Sequence, residues 1–364
     1  MIEDKLIAVV VPAYNEGTQI LSVIDSMPKF VDRIVIVNDG STDNTSDIIR
    51  SSIEAGCKSD VSIEKYEPLY SDSTFDRAEV YLAELREKEE EFYPKHTVFN
   101  SNNYDRVVLI DQENSGVGGA VSVGYKWCRE HRIDCTGVMD GDGQMDPSEL
   151  KSIVEPVCRE DIDYVKGDRL SHKAARYIIP KIRRFGNRVL SLLTKIASGY
   201  WHISDSQSGY TAISLNALDE IDLYKIYRRY GYPNDILTKL NAVNCSIRLV
   251  PIKPVYDVGE QSSMKIGKVI PRITWLLIKC FFYRISEKYF KNSFHPLFLF
   301  YIIGIALFIA IIPIFIYIIH TLYFTDGRVT TGIYMLFVLF AMFSFQAMGF
   351  GMWMDIQDNE KLNK

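Results

Sequence analysis

The sequence predicts an α/β fold, a mainly parallel sheet covered on both faces by helices, followed by a C-terminal hairpin of two membrane-spanning helices. Three observations carry this. Short Val/Ile-rich runs alternate with helical stretches over residues 1–260, polar motifs stand where those runs end, and two long charge-free stretches close the 364-residue chain.

The first strand is expected at 6–11 with a helix from about residue 16, and the second strand at 33–37 with a helix after residue 42. Further strands are expected at 107–110, 137–140 and 164–166, with helices at about 118–131 and 147–159. Continuous β-branched runs alternating with helices indicate parallel strands buried on both faces. In such sheets ligands bind outside the carboxyl ends of the strands. Residues 57–105 interrupt the rhythm with 12 acidic and 6 basic residues, and read as a solvated helix hairpin inserted between sheet elements.

No Asp, Glu, Lys or Arg occurs between Lys291 and Asp326, or from Val329 to Met354. Each stretch exceeds the roughly 20 apolar residues that a helix needs to cross a bilayer. The connector, at about 321–328, is short enough for a hairpin. From Lys265 to Lys291 there are seven basic residues and one acid, interleaved with Trp275, Phe281, Phe282 and Tyr289. That mixture suits an amphipathic helix lying on an anionic leaflet. The excess of positive charge is expected to put the 1–292 portion in the cytoplasm, with the C-terminus back on the same side. The expected divisions are a cytoplasmic α/β domain at 1–264 with its acidic insertion at 57–105, a basic juxtamembrane helix at 265–292, two spans at 293–354 and a cytoplasmic tail at 355–364.

Composition narrows the function. A chain that is 47% hydrophobic and 12% aromatic is not disordered. A net charge of −5 argues against nucleic acid as a partner. Six scattered cysteines without a C-x-x-C pair indicate reduced thiols and no zinc site. The N-terminus does not resemble a signal peptide.

The strongest chemical signal is Gly137-Val138-Met139-Asp140-Gly141-Asp142-Gly143-Gln144. Carboxylates at i and i+2 in extended chain point to one side. At a strand end Asp140 and Asp142 can hold a hard divalent cation, with the Gln144 amide oxygen as a further ligand. An EF-hand is excluded, because Met145 stands where its Gly belongs and Lys151 where its Glu belongs. Gly116-Val117-Gly118-Gly119-Ala120 lacks the third glycine of a dinucleotide fingerprint, since Val121 stands there, and suits a close strand-to-helix turn near a phosphate or ribose. Arg169, Arg183, Arg184 and Arg188 follow the acidic site; Lys181, Arg184 and Arg188 fall on one helical face and suit an anionic head group.

Four motifs in order resemble the family-2 GT-A glycosyltransferases, and within them the dolichol-phosphate mannose synthase and polyprenyl-phosphate glycosyltransferase branch. They are Val11-Pro12-Ala13-Tyr14-Asn15-Glu16, Asn38-Asp39-Gly40-Ser41-Thr42-Asp43, Asp140-x-Asp142-x-Gln144 and Asp205-Ser206-Gln207-Ser208-Gly209-Tyr210. The resemblance covers about 1–57 and 105–290 and implies a GT-A (Rossmann-like) sheet. It implies that Pro12, Tyr14, Glu16, Val37 and Asp39 line the base and ribose of a nucleotide sugar, with Gly141 and Lys265 also on the donor side. Asp140 and Asp142 would be the catalytic carboxylates and, with Gln144, would hold Mg²⁺ or Mn²⁺. Arg169 and Arg184 would bind the acceptor phosphate. The chain departs from the family's pattern at Asn38, where the usual residue is Asp, at Asp235, where many members have Glu, and in the longer segment 259–265.

The implied reaction is inverting transfer of a sugar from a UDP- or GDP-linked donor to polyprenyl or dolichyl phosphate at the lipid bilayer, for glycan or glycoprotein assembly. The resemblance leaves room for a homo-oligomer. Such an acceptor is already anionic, so no strong base is needed. The alternative is elongation of a lipid-linked saccharide or polysaccharide at a sugar hydroxyl. That reaction needs a carboxylate base, for which Asp205 and Asp235 are the candidates.

Overall fold

Alternation within the Val/Ile runs builds two cores around one sheet. The strands are β1 (Ile7–Ala13), β2 (Arg33–Asp39), β3 (His96–Val98), β4 (Val107–Gln112), β5 (Cys135–Val138), β6 (Tyr164–Asp168), β7 (Thr211–Ser214) and β8 (Ile247–Pro251). The helices are α1 (Ile20–Ser26), α2 (Thr45–Glu54), α3 (Arg77–Glu89), α4 (Val117–Glu130), α5 (Leu150–Glu160), α6 (Lys181–Ser198), α7 (Leu215–Glu220), α8 (Tyr232–Ala242), α9 (Ile266–Ser286), α10 (Pro296–Phe324) and α11 (Thr331–Glu360). The computed structural model describes residues 2–56, 58–66, 77–99, 102–175, 181–255, 266–324 and 327–364, without the side chains of 79, 181–185 and 266–270.

The sheet order is β3-β4-β2-β1-β5-β7-β6-β8. The block β4-β2-β1-β5 is parallel, in the register Val9↔Ile34 and Val9↔Gly137; β7 runs antiparallel between β5 and β6. Ala8, Val10, Val35, Val37, Val108 and Ile110 face α4 and α8. Their neighbours Ile7, Val9, Val11, Ile34, Ile36 and Leu109 face α1 and α5 on the other side. The period-two alternation thus buries both faces, and each fully buried Val or Ile stabilises the domain by roughly 1.5–3 kcal/mol.

The acidic insertion differs from the expected helix hairpin. Among its described residues it has one long helix, α3, then a 3-10 turn at Glu90–Phe92 and the strand β3, which extends the sheet antiparallel to β4. Its acids find cations on α4: Lys126 lies 2.9 Å from Glu90, and Arg129 lies 3.5 Å from Glu89. Paired in this way, the run lies along the domain instead of forming a second helix in solvent.

α10 and α11 are 29 and 30 residues long, with mean hydropathy 3.0 and 1.9, long and apolar enough to cross a membrane. They pack antiparallel. A Cβ on Gly304 would stand 2.6 Å from Met348 Cγ, and Ser344 Oγ donates to the Gly304 carbonyl at 2.8 Å. α9 leads into them through a π-helical turn at Glu287–Asn292. Trp275, Ile278 and Phe282 on α9 are exposed, as a membrane-surface helix requires. Two of the basic residues counted in this belt are turned inward instead. Arg284 is wholly buried and clasps Asp355 of α11, and Lys288 is buried and donates to Asn359 at 2.7 Å. The chain end also returns to the domain: Ile247 donates to the Leu362 carbonyl at 2.7 Å and Lys364 donates to the Ile247 carbonyl at 3.1 Å.

Candidate active site

The motifs converge at the carboxyl ends of β1, β2 and β5. The first two are tied together by Asn15, held at φ +57°, whose Oδ1 accepts from the Thr42 amide at 2.8 Å while its own amide donates to Ser41 Oγ at 2.9 Å. Pro12 is buried at the end of β1, and its carbonyl accepts from Gly141 at 3.3 Å, joining the first motif to the carboxylate loop. Glu16 lies beside Gly141, and Tyr14 is half exposed at the rim.

Asp39 is 4% exposed, and its carboxylate accepts from Gln112 Nε2 at 2.6 Å and from the Ser115 and Gly116 amides at 2.8 Å each. It therefore fixes the turn into α4. The glycines there permit close packing: a Cβ on Gly118 would meet the Tyr227 carbonyl at 2.0 Å. Asn38 donates to Asp111 at 2.7 Å, a contact that an Asp could not make as an anion. Val37 is fully buried in the core, where its side chain packs within the sheet rather than lining a cleft.

β5 ends at Val138, earlier than the sequence suggests, so Asp140 and Asp142 sit on a turn and not in extended chain. Asp142 Oδ1 accepts from the Gln144 amide at 3.0 Å. Burial pushes the Asp142 carboxyl up, and only the backbone amides of Gln144 and Asp142 oppose it. A cation would reverse that shift. The donor set, two carboxylates and an amide oxygen, is the hard-oxygen chemistry that Mg²⁺ or Mn²⁺ prefers. Among the described residues no group of three His, Cys, Asp or Glu side chains gathers for a metal, so Gln144 would have to complete this set.

The fourth motif closes the site from the other side. A Cβ on Gly209 would stand 3.2 Å from both Asp140 Oδ2 and Tyr232 Oη, so a side chain there would press on the carboxylate and on the phenol. Asp205, 1% exposed, accepts from Arg169 Nε at 2.7 Å and Nη2 at 3.1 Å. Burial acts to raise the Asp205 carboxyl, but Arg169 outweighs it and holds the group below its usual range. Asp235 accepts from Lys239 and from the Tyr227 amide. A cleft of about 280 Å³ opens between Leu170, Ser171, Ser204 and the face of α6 that carries Arg188 and Lys195. The backbone of Arg184 lies on α6 but its side chain is outside the described residues, as is all of Lys265. Gly209 and Lys166 were not singled out from sequence as site residues. The signal for Lys166 was a lysine inside the apolar strand Tyr164-Val165-Lys166.

A parallel sheet with paired carboxylates at the tip of its central strand, facing an arginine–aspartate pair, defines a GT-A glycosyltransferase. The chain belongs to glycosyl transferase family 2, whose pattern it matches over residues 8–63 and 86–231. It is 32% identical over 281 residues to the UDP-N-acetylglucosamine–dolichyl-phosphate N-acetylglucosaminyltransferase of Methanococcus voltae, covering 75% of this chain and 96% of that one. It is 29% identical over 171 residues to the undecaprenyl-phosphate mannosyltransferase of Micrococcus luteus, covering 46% and 69% respectively. Glucosyl-3-phosphoglycerate synthase of Mycobacterium tuberculosis superimposes with a TM-score of 0.48 at 19% identity, covering 77% of this chain and 80% of that one.

Proposed function

We propose that this glycosyltransferase moves a sugar from a nucleoside-diphosphate donor to the phosphate of a polyprenyl or dolichyl phosphate, with inversion at the anomeric carbon. The observation that carries this reading is the state of the two candidate bases. Asp205 is bound by Arg169, and Asp235 by Lys239. Both are buried and paired with a cation, Asp205 through both oxygens and Asp235 through Oδ2 while its Oδ1 faces the Cys280 thiol, which disfavours either as the base that a sugar hydroxyl requires, whereas a phosphate acceptor arrives already ionised. The dolichyl-phosphate activity named for the Methanococcus voltae relative supports the same choice and makes UDP-N-acetylglucosamine the first donor to test.

In this reading Pro12, Tyr14, Glu16 and the turn set by Asp39 receive the nucleotide, with Lys265 on the same side. Asp140, Asp142 and Gln144 would hold Mg²⁺ or Mn²⁺, which when bound neutralises the diphosphate as it leaves. Gly141 lets the loop approach the donor backbone-first. Arg169, already oriented by Asp205, meets the acceptor phosphate with Arg184, and Arg188 and Lys195 extend the cationic lining towards the lipid. The acceptor oxygen then attacks the anomeric carbon opposite the departing diphosphate, and an α-linked donor gives a β-linked product.

The same reading places the α/β domain on the cytoplasmic face, where Arg272 and Lys279 of α9 meet an anionic leaflet. Pairing of residues 362–364 with Ile247 of β8 supports a C-terminus on the same side as the domain. The test is incubation of purified protein and Mn²⁺ with labelled UDP-N-acetylglucosamine, UDP-glucose or GDP-mannose and dolichyl or undecaprenyl phosphate. Label entering the lipid extract supports the reading. Transfer only to lipid-linked saccharides would overturn it.

A further inference from the structure

Lys166 sits in the middle of β6 and is wholly buried. An ammonium removed from water in this way is costly unless acceptors surround it. Its Nζ donates to the Ser208 carbonyl. The carboxylates of Asp205, Asp168 and Asp140 attract its charge and the Arg169 guanidinium opposes it, while burial pushes the amine down to about 8. It touches neither the donor loops at the β1 and β2 tips nor the α6 cleft.

The turn that Lys166 grips has two working ends. At one end Gly209 lies against Asp140, close enough that a Cβ there would stand 3.2 Å from the carboxylate and press on it. At the other, Asp205 orients the Arg169 guanidinium through two hydrogen bonds. Between them, Gln207 reaches across to Asn234 Oδ1 at 3.1 Å, and the Tyr210 carbonyl accepts from Gly167 at 2.8 Å. Removing the Ser208 contact would free the centre of the turn while both ends remain attached to reacting groups.

We propose that Lys166 is a positioning residue that couples the two halves of the site: by holding the Ser208 carbonyl it sets the 205–209 turn against Asp140 on the donor side and Arg169 on the acceptor side. This rests on the roles proposed above for those two residues. Loosening the turn should therefore disturb metal binding and acceptor binding together, although neither ligand touches the lysine.

The test uses the full-length protein in nanodiscs, with Lys166→Met, Lys166→Arg and Gly209→Ala. Mn²⁺ affinity is titrated without substrates by the electron paramagnetic resonance of free Mn²⁺. KM is measured for donor and for lipid phosphate, alongside thermal unfolding. Lys166→Met should weaken Mn²⁺ binding by ~10-fold or more, as loss of an outer support of a metal site does, and raise both KM values. Lys166→Arg, which keeps a cationic donor, should recover part of each. Gly209→Ala reaches the same turn by a different route and should weaken Mn²⁺ binding even if Lys166→Met does not fold. Wild-type Mn²⁺ affinity and wild-type KM values in folded variants, with only a lower Tm, would overturn the proposal, as would a change in one KM alone. Wild-type protein that turns over without binding Mn²⁺ would refute the metal assignment, and the two KM values would then decide the role of Lys166. Wild-type protein that binds Mn²⁺ without transferring to lipid phosphate would refute the acceptor assignment, and Lys166 would stand or fall on Mn²⁺ affinity.

Discussion

Asp355→Ala tests how the membrane hairpin is fixed to the catalytic domain. Both Asp355 and Arg284 are 0% exposed, and they make a two-pronged contact at 2.6 and 2.9 Å. Arg284 also donates to the Ala197 and Ile196 carbonyls at the end of α6, and Tyr289 donates to Asp355 at 2.9 Å. Truncating Asp355 strands a buried guanidinium with only backbone acceptors. Breaking one partner of such a pair costs about 3–5 kcal/mol. At about 2–4 °C per kcal/mol for a domain of this size, the expected fall in Tm is roughly 6–20 °C. The assay is intrinsic fluorescence during thermal unfolding in nanodiscs at a fixed scan rate, with Arg284→Met/Asp355→Leu alongside. The double variant should recover most of the loss, because removing both charges also removes the desolvation penalty. A Tm within 1–2 °C of wild type for Asp355→Ala, on the order of the scatter expected for a surface change, would refute the buried pair as the anchor.

Asp142→Asn should abolish detectable transfer and weaken Mn²⁺ binding while leaving Tm close to wild type; titration and thermal unfolding of the same preparation check this. For Asp205 the folded pKa is depressed, so its stabilisation is present above the unfolded value and is lost as pH falls through the folded one. Wild-type Tm should therefore drop in acid below the ordinary carboxylate range, and Asp205→Asn should be less stable at pH 7 but flatter across the acid limb. Arg188→Gln with Lys195→Gln should raise KM for lipid phosphate by roughly 10-fold or more, the loss of about 1.5–3 kcal/mol expected for hydrogen bonds to a charged group, with donor KM unchanged. Kinetics with each substrate varied in turn will show whether the effect falls on the acceptor.

The parallel sheet was legible because β1 carries Val9-Val10-Val11 and β2 carries Ile34-Val35-Ile36-Val37, continuous runs that suit strands buried on both faces. The spans were legible because a charge-free run needs no tertiary information. The strand β3 inside the insertion was missed because acidic composition reports solvation, while the pairing of β3 with β4 and of Glu90 with Lys126 depends on partners distant in sequence. The inward turn of Arg284 was hidden for the same reason, since its partner lies 71 residues further on. Asp140 and Asp142 were proposed from their spacing, and the fold sets both just beyond the end of β5. Gly209 stood in the fourth motif, but its packing against Asp140 shows only in the fold, because close approach leaves no mark in composition.

The linkage in the product tests the proposed reaction most directly. Protein incubated with Mn²⁺, UDP-N-acetylglucosamine and dolichyl phosphate yields a lipid product whose phosphorus and anomeric proton can be examined by NMR. The expected result is a phosphodiester with phosphorus coupled to the anomeric proton of a β-linked sugar. A sugar joined through a hydroxyl, or an α-linked phosphodiester, would contradict inverting transfer to a lipid phosphate.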